Sequence, residues 1–204
     1  MKDSGNHRSD RIPAPKQARA FKTRAELLQA ARTVFAKSGF EHARLEDIAR
    51  LAGKTRGAIY ANFKDKEDIF FAIFEESLEE DSNLLRDTLK HCTSMMERLK
   101  AFSKHLAECV NDREAALLHI EFKTYAVRHP KRKRLAALHS RMIEQYVARE
   151  VADFIPQLQN TTTRKVISGL LDGFALNYQF DTNPISLVML TEIIFVLLQQ
   201  IVSS

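Results

Sequence analysis

Residues 45–70 read LEDIARLAGKTRGAIYANFKDKEDIF. Leu45, Ile48 and Ala49 recur at helical spacing and predict a short helix from about Leu45 to Leu51. Gly53 falls in the turn that follows, where a positive φ is expected and a side chain would be penalised. Thr55 is placed to cap the next helix, Arg56 to about Asn62, which Ile59 and Phe63 anchor inward. Ala49 is small where these two helices must cross closely. A helix-turn-helix is therefore expected. Asp65 then caps a much longer helix that opens at Lys66 and carries Ile69, Phe70, Ile73 and Phe74 on its apolar side.

Upstream, Thr23 with Glu26 three residues on has the spacing of a capping box and predicts a helix starting at Arg24. Leu27, Leu28, Ala31, Val34 and Phe35 form its apolar stripe, and Gly39 suits the left-handed residue just past its end. The first 21 residues, MKDSGNHRSDRIPAPKQARAF, lack periodicity and hold five cations with Pro13 and Pro15. They read as a flexible basic arm (1–21), either an untethered tail or a strand of chain that brings Arg19 or Lys22 to a minor groove. They contain no apolar run of the kind a secretion signal needs.

Downstream, strand signals are nearly absent and helices follow one another over about 66–91, 94–110, 113–128, 131–155, 162–180 and 185–202. Thr93 is the expected cap of the second of these; Pro130 and Pro184 stand at helix starts and Pro156 after a helix end. The fold class is all-α, and 45% apolar residues in a chain of 204 are ample for a core. In ISLVMLTEIIFVLLQQIV (185–202) nearly every position is apolar, yet the run is too short to span a membrane. Such a helix must be covered on all sides, by an ordinary intrachain core or by a second copy. Val166, Gly169, Leu170, Gly173, Phe174, Ile193, Leu197 and Ile201 are the residues expected at a dimer interface of four-helix-bundle type. A small-molecule pocket is expected among the middle helices, lined by Met95, Phe102, His105, Leu118, Glu121, Phe122, Tyr125, Met142 and Tyr146. Glu121 either attracts a cationic ligand there or sits at the solvent edge of its stripe.

Charge is unevenly placed. Residues 1–66 carry 15 Lys or Arg against 7 Asp or Glu, a net +8, while the remaining 138 carry 16 against 19, a net −3. A short helix whose outward residues are Arg56, Gly57, Ala58, Tyr60 and Asn62, on the basic third of the chain, fits the major groove of duplex DNA.

The segment LEDIARLAGKTRGAIYANFKDKEDIF resembles the DNA-binding domain of the tetracycline-repressor (TetR) family of one-component bacterial regulators. The likeness is dense over the first third of the chain; the rest agrees in length and helical character. It implies an all-helical homodimer with a DNA-binding domain at 22–66 and a ligand-binding and dimerisation domain at 67–204. It further implies binding to a palindromic operator that is released when a small molecule occupies the second domain. By the same resemblance Thr55, Arg56, Gly57 and Tyr60 touch bases or phosphates, Asn62 and Lys66 contact phosphate, and Lys54 belongs to the same DNA-facing set. Where the family commonly has Ser or Thr before the second helix, this chain has Ala43 and Arg44; the cap is lost, and Arg44 either restores the phosphate contact or is simply exposed.

Other features read as bland. Lys131–Arg134 is a four-cation run at a helix start, where it opposes the dipole, and is taken as an exposed face. Cys92 and Cys109 are too far apart for a CxxC pair and suit reduced cytoplasmic thiols; His91, Cys92 and His105 do not make a convincing metal set. No phosphate loop, nucleophile elbow or supported carboxylate pair argues for catalysis, and no cofactor or metal is expected. The expected function is a cytoplasmic, ligand-responsive DNA-binding repressor, nucleoid-associated when bound, with an unknown effector. The alternatives are an activator or low-specificity DNA binder of the same fold, or a helical small-molecule binder or enzyme with a vestigial helix-turn-helix.

Overall fold

The computed structural model describes residues 15–203, and among these the chain forms nine α-helices, one 3-10 turn and no strand. The helices are α1 (Pro15–His42), α2 (Leu45–Leu51), α3 (Arg56–Asn62), α4 (Lys66–Leu89), α5 (Met95–Asn111), α6 (Arg113–Arg128), α7 (Arg132–Glu150), α8 (Thr161–Phe180) and α9 (Leu187–Ser203), with the 3-10 turn at Pro156–Gln159. The expected all-α class with an N-terminal helix-turn-helix is what the chain adopts.

Several boundaries differ from expectation for local reasons. Thr23 does not cap α1, which is already helical from Pro15; proline suits a first helical turn, and Lys16–Ala20 are strong helix formers. The part of the expected arm at 15–21 is thus helical, and residues 1–14 lie outside the described residues. Ser94, not Thr93, caps α5: its hydroxyl accepts from Glu97 N while the Glu97 carboxylate accepts from Ser94 N, a complete capping box. α7 stops at Glu150 rather than near 155. Pro156 keeps Ile155 out of the helical region (φ −132, ψ 71) and opens the 3-10 turn. Ser186, after Pro184, accepts from Met189 N at 3.2 Å and starts α9. Thr55 and Asp65 cap α3 and α4 as expected, accepting from Ala58 N and Asp68 N, and Arg44 precedes α2 with no side-chain cap.

The buried side chains fall into two clusters. The first joins α1–α4 to α6 and α7: Leu27, Phe35, Phe40, Ile48, Ile59, Phe63, Ile69 and Phe70 pack with Leu118, Phe122, Ala126 and Leu135. At its centre the Phe70 and Phe122 rings stack at 3.7 Å, and Phe40 meets Phe122 edge-on at 5.4 Å. The second is built from the far half of α4 with α5, the end of α7, the 3-10 turn and α9, around Leu85, Leu99, Phe102, Phe154, Ile155, Ile194 and Leu198. α4, 24 residues and about 36 Å long, runs through both. At its far end Arg86 grips the buried Glu150 of α7 through two hydrogen bonds, at 2.7 and 2.6 Å.

Candidate nucleic-acid interface

The turn between α2 and α3 works because Gly53 takes φ 63, a conformation that costs glycine nothing. Ile59 and Phe63 plug α3 into the core at 1% and 3% exposure, so the opposite face turns outward. On that face Thr55, Arg56, Gly57 and Tyr60 are exposed. Arg56 donates to the Tyr60 hydroxyl at 3.1 Å and pairs with Glu46 of α2 at 2.8 Å. The Tyr60 hydrogen bond, and then Glu46, hold the guanidinium firmly charged. The side chain is therefore held on the exposed face by two partners, Tyr60 and Glu46. A Cβ on Gly57 would meet only the Thr55 hydroxyl, at 3.7 Å, so the backbone here is open to close approach.

The remaining residues expected at DNA are placed differently from one another. Arg44 is exposed. Lys54 is half-buried and paired with Glu26 of α1 at 2.7 Å. The Asn62 amide donates to Ala58 O at 2.7 Å, which occupies one of its protons. Lys66 faces α1: its ammonium donates to Glu41 O at 2.7 Å and lies 4.9 Å from the Phe40 ring centre. Burial pulls its pKa below the ordinary value. Lys66 thus tethers α4 to the end of α1, a role not visible in sequence because Glu41 lies 25 residues away.

Around Lys66 the DNA-proximal helices are latched to α6. Tyr125 donates to Glu67 at 2.6 Å, and its ring lies 4.9 Å from Phe40. Burial, then Glu67, push the Tyr125 phenol well above its usual value. Glu121 is exposed, with its carboxylate beside Gly39, the one non-helical residue within α1 (φ 71, ψ 156). Glu121 is at the solvent edge, and Tyr125 is at the junction.

The other residues expected to line a pocket divide between the two cores. Leu118, Phe122 and Met142 belong to the first cluster, Phe102 and Tyr146 to the second, and Met95 is exposed at the start of α5. His105 is buried with its Nε2 3.4 Å from the Tyr146 hydroxyl. An open space lies instead between α6 and α7. It is a groove of about 360 Å³ lined by Phe122, Lys123, Ala126, Val127, Arg132, Lys133, Ala136 and His139. Its floor is apolar and its rim cationic. His139 stacks on Phe74 of α4 at 4.9 Å, and its Nε2 is 3.0 Å from that of His119. Burial pushes both imidazoles down to about 3, so they are neutral. The Lys131–Arg134 run contributes to this rim and to an adjoining open surface depression.

Helices α8 and α9 present an uncovered apolar face. Of the sixteen large apolar side chains exposed among the described residues, eight lie between 166 and 196: Val166, Leu170, Leu176, Phe180, Ile185, Val188, Met189 and Val196. Gly169 and Gly173 lie on the same side of α8, and a Cβ at either would meet nothing within 4 Å. Phe174, Ile193, Leu197 and Ile201 are half-buried, with Phe174 and Ile201 packed against the second core. Leu176, Phe180, Ile185, Val188, Met189 and Val196 were not among the residues expected there. In so uniformly apolar a stretch, periodicity does not say which side faces out. Among the described residues no helix is long and apolar enough to cross a membrane.

Comparison with known proteins agrees with this arrangement. Residues 27–73 match the family model for bacterial regulatory proteins of the tetR family. The uncharacterized HTH-type transcriptional regulator YfiR of Bacillus subtilis is 31% identical over 102 residues, 50% of this chain and 49% of that protein, so the match spans about half the relative's length. A tetR-family regulator structure from Mesorhizobium loti superposes with TM-score 0.69 at 20% identity, covering 91% of this chain and 97% of that one. The regulator FadR from Bacillus subtilis, solved with stearoyl-CoA, superposes with TM-score 0.60 at 21% identity over 85% and 96%. At these identities the two structures show the shared fold. The helix-turn-helix segment, residues 27–73, is thus of the tetR-family type, and the helical frame around it shares the fold of these solved regulators.

Proposed function

We propose that this chain is a ligand-responsive, cytoplasmic transcriptional repressor that binds a palindromic operator as a homodimer. The reading rests chiefly on the exposed Arg56–Gly57–Tyr60 face of α3, carried on a basic helix-turn-helix that matches the family model. Residues 22–66 act as the DNA-binding domain and 67–204 as the effector and dimerisation domain. Arg56 contacts bases or phosphates once Glu46 releases it, Thr55, Gly57 and Tyr60 flank it, and Arg44 reaches phosphate. Lys54, Asn62 and Lys66 shape this face through their internal bonds.

The second copy docks on the α8–α9 face. Eight exposed apolar side chains there far exceed the scattered ones normal on a monomer's surface. The effector has an apolar body and an anionic end, matching the apolar floor and the Lys123, Arg132 and Lys133 rim of the α6–α7 groove. That a protein of similar fold was solved with stearoyl-CoA supports this class. The groove's Phe122 and His139 stack on Phe70 and Phe74 of α4, so filling it bears directly on the helix that holds the DNA-binding domain. Release of DNA requires only that the effector bind the non-DNA geometry better than the DNA-bound one.

The test is selection of bound sequences from random duplexes by the full chain, followed by gel shift at low salt. An inverted repeat bound by a particle of twice 23.4 kDa is expected. Enrichment of no sequence, or binding by a monomer alone, overturns the reading.

A further inference from the structure

A second cluster of chemistry lies away from both the DNA-facing surface and the α6–α7 groove. Asp81 of α4 and His105 and Cys109 of α5 converge, their ligand-capable atoms all within 4.8 Å of one another. His105 and Cys109 are four residues apart, the spacing that puts two side chains on one helix face, and Cys109 Sγ is 3.9 Å from His105 Nε2. Neighbouring donors around a tetrahedral zinc ion stand about 3.3–3.6 Å apart. Closing onto such an ion needs shifts of about 1 Å or less, within the reach of side-chain rotation. We propose that Asp81, His105 and Cys109 form a binding site for a thiophilic divalent cation of the zinc class, stapling α4 to α5.

The donor set favours that class. Carboxylate, imidazole and thiolate together are the ligands of zinc and its first-row neighbours, whereas calcium and magnesium take oxygens. The carboxylates of Asp112 and Glu108 stand near Cys109 and add negative charge that favours a cation there. The Asp81 side chain is half-buried and, among the described residues, makes no hydrogen bond or ion pair, whereas Glu150 of α7 is gripped by Arg86 and Arg149. The Tyr146 hydroxyl, at 3.4 Å from His105 Nε2, adds a further polar group at the cluster. In sequence His105 stands closest in kind to His91 and Cys92; the fold joins it instead to Cys109 and to a carboxylate on another helix. This inference does not depend on the DNA-binding reading.

Cobalt(II) titration of the reduced, chelator-stripped full chain tests it. One equivalent per chain is expected to bind with a thiolate-to-metal charge-transfer absorption and the intense d–d bands of tetrahedral cobalt, and zinc should displace it. Cys109→Ser should abolish the charge-transfer band, while Cys92→Ser leaves it unchanged. His105→Gln and Asp81→Asn should each weaken zinc binding by about 100-fold or more, at unchanged far-UV circular dichroism. Absence of the band in the wild type, its survival in Cys109→Ser, or its loss in Cys92→Ser overturns the proposal.

Discussion

Gly39 offers a sharp quantitative test of how the DNA-binding helices are joined to the rest. Its backbone sits at φ 71, ψ 156, a region that only glycine occupies without strain. Placing alanine there costs about 1–3 kcal/mol in backbone energy. The steric part adds little. The new Cβ would lie 2.9 Å from Glu121 Oε2, the far end of an exposed side chain that can swing away. We therefore expect Gly39→Ala to destabilise the chain by about 2 kcal/mol, a fall in Tm of about 4–8 °C for a chain of this size. Thermal and urea unfolding at one fixed protein concentration measures it, since self-association would otherwise shift the midpoint. Gly39→Ala/Glu121→Ala separates the two contributions: if backbone strain dominates, removing Glu121 recovers almost nothing. A Tm for Gly39→Ala within about 1 °C of wild type, or full recovery in the double variant, would refute this account.

Four further outcomes follow from the geometry. Arg56→Ala should weaken operator binding by about tenfold or more. Glu46→Gln, which frees the Arg56 guanidinium without removing it, should strengthen binding when measured by fluorescence anisotropy. Phe122→Ala, which removes a fully buried ring stacked on Phe70, should cost about 3–5 kcal/mol in urea unfolding. Glu150 has its carboxyl held below the ordinary 4.5 by its hydrogen bonds to Arg86 and then Arg149. Its contribution is therefore present above that value and is lost as pH falls through the depressed one. Acid unfolding should accordingly be shallower in Glu150→Gln than in wild type.

The helix-turn-helix was legible because its determinants are local: a capping threonine, a glycine in a short turn, and apolar residues at helical spacing. Gly39 and Gly53 both take the positive φ expected of them. What sequence could not show was long-range. Lys66 read as a cation free to meet phosphate; its partner is a backbone carbonyl 25 positions away. Tyr125 read as a pocket residue; its partner is Glu67, 58 positions away. Thr23 carried the spacing of a helix start, but the good helix formers before it extend α1 to Pro15, so the local signal lost to its neighbours. In α9 the failure was of another kind, because a stretch apolar at nearly every position has no periodicity from which to tell inside from outside.

The stacked rings of Phe70 and Phe122 have a practical consequence for anyone reassembling such regulators from parts. The helix-turn-helix segment completes its interior with side chains contributed from residue 118 onward. Excised at residue 66 it would lose both rings, and with them the aromatic cover over Phe40, so a foreign effector module would need matching rings on the new scaffold. The transferable cassette is therefore discontinuous along the chain: the N-terminal helices together with α6.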